Sequence, residues 1–182
     1  MTTAPVVWYL MRATGVVALL LLTISLALGI ATSNRWRPPG SRLFVTTTIH
    51  RNASLLAVAF LALHVLTAVI DPDAAVRLAA VVLPGSSLAL TAGALALDLV
   101  AALTLTSLLR RRMRHATWRA IHWSAYAAWP LALAHGLAMG SDNGTWWANA
   151  VTVGCVASAA GAVVWRLVES SATAPTTRAE SR

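Results

Sequence analysis

TTTIHRNASLLAVAFLALHVLTAVI (residues 46–70) and RAIHWSAYAAWPLALAHG (residues 119–136) are apolar enough to lie in a lipid bilayer, yet each keeps two histidines. His50 and His64 stand fourteen residues apart, His122 and His135 thirteen apart, and these are four of the chain's five histidines. Ionisable side chains inside an apolar span are costly and mark function by default.

The rest of the chain agrees with a membrane setting. Of 182 residues, 58% are apolar and only 11% charged, too little polar surface for a soluble domain. The net charge of +8 comes from arginines clustered between apolar runs, a pattern of membrane topology and not a nucleic-acid footprint. Five segments are long enough to cross a hydrocarbon core of about 30 Å, near Val6–Ala31, Leu43–Ile70, Ser86–Leu109, Trp118–Met139 and Trp146–Val168. The first is too long and too weakly basic at its start for a cleaved signal peptide, so it reads as a retained helix. The fold class is therefore all-α, an integral membrane bundle of five transmembrane helices over residues 1–170, with a polar, disordered tail at 171–182.

Loop charge sets the orientation. TSNRWRPPGSR (residues 32–42) holds Arg35, Arg37 and Arg42, and RRRMRHATWR (residues 110–119) holds Arg110, Arg111, Arg112, Arg114 and Arg119, so both are expected in the cytoplasm. The loop at 71–87 sets one arginine against Asp71 and Asp73, and GSDNGT (residues 140–145) has none, so both face outward. The N-terminus is then outside and the C-terminus cytoplasmic, in a bacterial plasma membrane. AAVRLAAVVL in the 71–87 loop reads as a short lid on the outer surface.

On this topology the second and fourth spans run in the same direction. His50 and His122 share the inner level, His64 and His135 the outer, about 20 Å apart along the membrane normal. Two pairs of imidazoles at that separation suit two stacked low-spin b-type hemes, each held by a pair of axial nitrogens. Packing histidines, or histidines bonded between helices, are the alternative reading; zinc is a weaker metal reading, because each level offers two histidines and no nearby cysteine or carboxylate. Fourteen residues return to within about 40° of one helix face, but thirteen leave the side chains about 140° apart. A kink at Pro130 is expected to re-aim them.

The spacing of the four histidines resembles the ferric reductase-like transmembrane domain of the NADPH oxidase and ferric reductase superfamily, including bacterial stand-alone heme-membrane subunits. WYLMRATG (residues 8–15) and WRAIHWSAY (residues 118–126) are similar to that family's RxTG and WrxLHrlxY patterns. The resemblance runs from about Trp8 to Gly140. It implies an electron wire, from a cytoplasmic flavin to an inner heme, an outer heme and an acceptor outside: ferric iron, dioxygen or a periplasmic redox partner. The sequence shows no Gly-rich dinucleotide fingerprint. An oxidoreductase membrane subunit of this kind takes electrons from a flavoprotein reductase, from bound FMN or FAD, or from quinol.

Other polar residues fit around this frame. Arg12 is placed to meet an outer-heme propionate or an anionic acceptor, with a snorkelling arginine as the alternative. Arg51 and Arg119 are placed to meet inner-heme propionates, or else to anchor the inner interface. Trp129 falls between the two histidine levels, as an aromatic between hemes or as filling. Asp98, in the middle of the third span, suits a bond to a ligand histidine, proton movement or an interhelical hydrogen bond. Trp146 and Trp147 belong to the interfacial aromatic belt, and Cys155 to packing. A quinol-linked cytochrome b and a heme-free scaffold or transporter remain as rival functions.

Overall fold

The computed structural model describes residues 4–172, apart from 37, 41, 73, 75 and 86. Arg37, Asp73, Ser86 and the tail from 173 onward thus lie outside the described residues. The described chain is helical throughout: α1 (Ala4–Ser33), α2 (Leu43–Ile70), α3 (Leu78–Val82), α4 (Leu88–Leu108), a single 3-10 turn at Arg110–Arg112, α5 (His115–His122), α6 (Ala125–Met139) and α7 (Trp146–Ala172). Of these, α1, α2, α4 and α7 are long and apolar enough to cross a membrane, which makes this a multi-pass membrane protein. The α2 bounds are those expected. α4 starts at Leu88 because the Ser87 side chain caps it, accepting from the Leu90 N–H at 3.1 Å. The segment expected as a lid forms the short α3, which packs on α4. α7 runs on to Ala172, two residues past the expected end of the bundle.

The fourth expected span, over 118–139, is not one helix. α5 closes on His122 and α6 opens at Ala125. Between them the N–H groups of Ser124, Tyr126 and Ala127 donate three residues back, to the carbonyls of Ile121, Trp123 and Ser124. Bonds of that reach wind the chain by about 120° per residue instead of about 100°. A few such residues add about 60–80° and halve the mismatch that thirteen residues leave between His122 and His135. The correction therefore arises before Pro130, which lies inside α6. Proline supplies no N–H for the Tyr126 carbonyl and crowds it, which loosens the helix ladder just where the tightened turns end.

Packing is most extensive between α1 and α2 and between α4 and α6, and α1 also meets α6 and α7. The helices thus follow the order α2, α1, α6, α4, with no comparable packing of α2 on α4 among the described residues. In a medium without water, hydroxyls must be satisfied within the helix. Thr14, Thr23, Thr32, Thr104 and Thr106 each donate to the carbonyl four residues earlier. At the arginine-rich end, Arg166 of α7 donates to Ser33 Oγ of α1 at 2.6 Å and lies 4.9 Å from the Trp123 ring and 5.8 Å from the Tyr126 ring. One side chain thereby joins α7, α1 and the α5–α6 break. Arg166→Ala should cost about 1–2 kcal/mol in thermal unfolding in detergent, whereas Arg111→Ala, on the exposed arginine-rich turn, should stay within about 0.5 kcal/mol of the parent.

Candidate functional site

α1 and α2 run antiparallel, and the fourteen-residue interval of His50 and His64 on α2 recurs on α1 as Gly15 and Gly29. A Cβ on Gly15 would lie 2.9 Å from the His64 ring, and one on Gly29 would lie 3.3 Å from the His50 ring. On α4, a Cβ on Gly93 would lie 2.7 Å from the His135 ring. Each glycine opens one carbonyl. His50 Nδ1 is 3.0 Å from the Ser25 carbonyl, His64 Nδ1 is 2.8 Å from the Met11 carbonyl and His135 Nδ1 is 2.8 Å from the Ala89 carbonyl. Ser25, Met11 and Ala89 each stand four residues before the corresponding glycine, so the missing side chain is the one that would cover the carbonyl. A carbonyl can only accept, so all three Nδ1 atoms carry the proton. The Nε2 lone pairs are left free to ligate.

His122 departs from this pattern, since its Nδ1 is buried without a hydrogen-bond partner. Thirteen residues past Gly93, where α4 would have to offer a glycine, stands Thr106. Its hydroxyl takes the Ala102 carbonyl at 2.7 Å. His122 is instead held by stacking on Trp118, one helical turn earlier, with ring centres 4.7 Å apart and planes 24° apart. The Arg110 guanidinium lies 4.2 Å from the Trp118 ring centre. A column of Arg110, Trp118 and His122 thus runs from the arginine-rich surface into the bundle.

The four histidines meet as two pairs, His50 of α2 with His122 of α5 and His64 of α2 with His135 of α6. The His50 and His122 ring centres are 6.4 Å apart at 82°, and those of His64 and His135 are 6.2 Å apart at 77°. With metal–nitrogen bonds of about 2.0–2.1 Å, two imidazoles on opposite sides of one metal hold their ring centres about 6.3 Å apart, whereas a tetrahedral metal would bring them to about 5 Å. Both pairs therefore fit linear ligation of one metal by two nitrogens. Among the described residues no three His, Cys, Asp or Glu side chains converge on one point. His64 and His135 also line a cavity of about 410 Å³ that reaches Arg12 and Asp142.

The remaining candidates fall into place around the pairs. Arg12 is bound to Asp142, its Nε donating to Oδ2 at 2.8 Å, and lies 5.0 Å from the Trp8 ring. Trp129 donates to Thr23 Oγ1 at 2.8 Å, and Thr23 lies on α1 between Gly15 and Gly29, so the indole is tied between the two histidine levels. Arg51 and Arg119 are exposed, and neither side chain bonds to another described residue. Asp98 is likewise exposed on α4; the Nδ1 atoms of His50, His64 and His135 are served by backbone carbonyls, not by its carboxylate. Trp146 and Trp147 are exposed at the start of α7, and Cys155 is buried. Gly29, Gly93 and Asp142 were not singled out by sequence reasoning, and Gly15 and Trp118 entered it only as parts of the WYLMRATG and WRAIHWSAY motifs. The repeated fourteen-residue interval, Gly15 to Gly29 against His50 to His64, was the available signal for two of the glycines.

The family model of the ferric reductase like transmembrane component matches residues 14–133, about two-thirds of the chain. The chain belongs to that family. The match begins at Thr14 in the first half of α1 and runs into α6, includes His50, His64 and His122, and ends two residues before His135. Comparisons with curated proteins and with solved structures give no match. Ferric reductase-like domains are generally heme-binding redox membrane domains, and membership points to transmembrane electron transfer. The glycine contacts can be tested directly. Gly93→Ala and Gly15→Ala should displace His135 and His64 from their carbonyls and lower the melting temperature by about 3–10 °C. Gly29→Ala, with 3.3 Å of room, should shift it less, as circular dichroism melts in detergent would show.

Proposed function

We propose that this protein carries electrons across the membrane through two bis-histidine b-type hemes, one held by His50 and His122 and the other by His64 and His135. The observation that carries the reading is the ring separation of 6.4 and 6.2 Å in the two pairs, which matches two imidazoles on one iron. A b-type heme ligated by two imidazoles supplies reversible one-electron chemistry with no open coordination position. The chain's own residues do the rest. Ser25, Met11 and Ala89 fix the tautomer and the aim of three ligands, and Trp118 aims the fourth. Trp129 fills the space between the levels, anchored on Thr23. Arg12, steadied by Asp142 at the rim of the cavity, offers a cation to a propionate or to an anionic acceptor.

Electrons enter at the arginine-rich end, which is cytoplasmic by its charge. The exposed arginines of residues 110–119 form the docking face for an acidic flavoprotein or a flavin phosphate. The Arg110, Trp118 and His122 column supports entry there, because it links that face to the inner pair. Electrons leave at the Asp142 end, toward ferric iron, dioxygen or a periplasmic redox partner.

The test is heme stoichiometry by pyridine hemochrome on the purified chain and its variants. The parent should hold two hemes per chain, and His64→Leu or His135→Leu should each leave about one, the inner. Equal loss of both hemes in every variant would contradict separate pairs. A triple change of Arg110, Arg111 and Arg112 to glutamate should keep both hemes and slow reduction by the native cytoplasmic donor at least tenfold; an unchanged rate would remove the docking role.

A further inference from the structure

Two opposite charges lie on exposed membrane-helix faces, and neither bonds to another described residue: Arg51 on α2 and Asp98 on α4. A carboxylate or guanidinium left facing hydrocarbon is costly, so each calls for a partner. Their depths agree. Arg51 is eight residues in from Leu43, about 12 Å, and Asp98 is ten residues in from Leu108, about 15 Å, both measured from the arginine-rich end.

The order of the helices supplies the second constraint. α2 packs on α1, α4 on α6, and α1 on α6, so α2 and α4 border the side of the histidine space that no extensive packing closes. The cavity of about 410 Å³ reaches both helices, with Leu61 and Val65 of α2 and Leu90 and Leu97 of α4 in its lining beside residues of α1, α3, α6 and α7. A second copy in the same membrane orientation is related to the first by a two-fold axis along the membrane normal. Such an axis, set against this side, puts α2 of each copy opposite α4 of the other at unchanged depth. Arg51 then faces the partner copy's α4 at the level of the aspartate, and the pair forms twice.

We propose that the protein is a two-fold dimer through α2 and α4, locked by reciprocal Arg51–Asp98 ion pairs, which closes the lateral opening of the histidine space. The partner is a second copy because this chain carries both halves of the pair, and symmetry brings them together at matched depth. Exposed Leu55 and Leu66 of α2 and Leu95 and Leu105 of α4 supply apolar contact around the ion pairs, and exposed Ala59, Ala62 and Ala101 allow close approach of the helices. The dimer does not depend on the histidine pairs being filled.

The test is single-molecule photobleaching of the fluorescently labelled full chain in liposomes across a dilution series. The parent should bleach in two steps at protein-to-lipid ratios where Asp98→Asn and Arg51→Gln bleach mostly in one, each with an association constant lowered about tenfold or more. The exchange Arg51→Asp with Asp98→Arg should restore two-step bleaching. A monomeric parent would overturn the proposal, as would single variants that dimerise like the parent or an exchange variant that stays monomeric. A second measurement guards against loss of folding in the single variants. Arg51→Cys in one tagged copy and Asp98→Cys in a differently tagged copy should give a mixed disulfide dimer on mild oxidation of membranes. Folded copies that fail to cross-link would also overturn it.

Discussion

The hydrogen bond from an imidazole Nδ1–H to a helix carbonyl, made possible by a glycine with no side chain in the way, is the contact on which the rest of the structure depends. It occurs at Gly15, Gly29 and Gly93, with the carbonyls of Met11, Ser25 and Ala89 as acceptors. In the bilayer interior no water can satisfy an imidazole, and an unsatisfied polar group there costs several kcal/mol. Each contact removes that cost and sets the distance between two helices, since the ring reaches the carbonyl only where the backbones come close. It also settles the tautomer. The fold thus leaves a lone pair on the Nε2 atoms of those three rings, and the same three contacts tie α1 to α2 and α4 to α6.

His122 shows what happens when the contact is missing. Thr106 keeps the Ala102 carbonyl for its own hydroxyl, so the fourth imidazole is held by the face of Trp118 and keeps an unpartnered Nδ1. The two levels are therefore not equivalent. The level at the Asp142 end has both rings anchored on backbone and a cavity beside it. The level at the arginine-rich end has one anchored ring and one stacked ring, the latter connected to the surface through Arg110. In the electron-transfer reading this asymmetry matches a direction, with entry where a partner can reach the ring and exit where a small acceptor can approach.

Much of this was legible in the sequence. Apolar run length gave α1, α2, α4 and α7 to within a few residues, because a bilayer sets helix length by thickness alone. The histidine pairing followed from two intervals and the direction of two spans. The fourth span resisted, because periodicity averages over a segment and cannot show the three short-range hydrogen bonds that cluster around Trp123 and Ser124. The thirteen-residue interval was the symptom, and Pro130 drew attention one turn too late. Asp98 misled for a related reason. Its place in the middle of an apolar run is visible in the sequence, but which side of α4 it occupies depends on how α4 packs. Arg12 was recognisable as an unusual arginine, while Asp142, 130 residues away, could be matched to it only in three dimensions.

The most direct test of the central claim is the low-temperature electron paramagnetic resonance spectrum of the oxidised, heme-loaded protein. The ring planes stand at 82° in one pair and 77° in the other, and near-perpendicular imidazoles make low-spin ferric iron strongly anisotropic. Two such signals, displaced to low field and broad, with no high-spin component, are the expected result, and His135→Leu should remove one of them. A high-spin spectrum, the rhombic pattern of parallel ligand planes, or a protein that takes up no heme would contradict ligation by these two pairs.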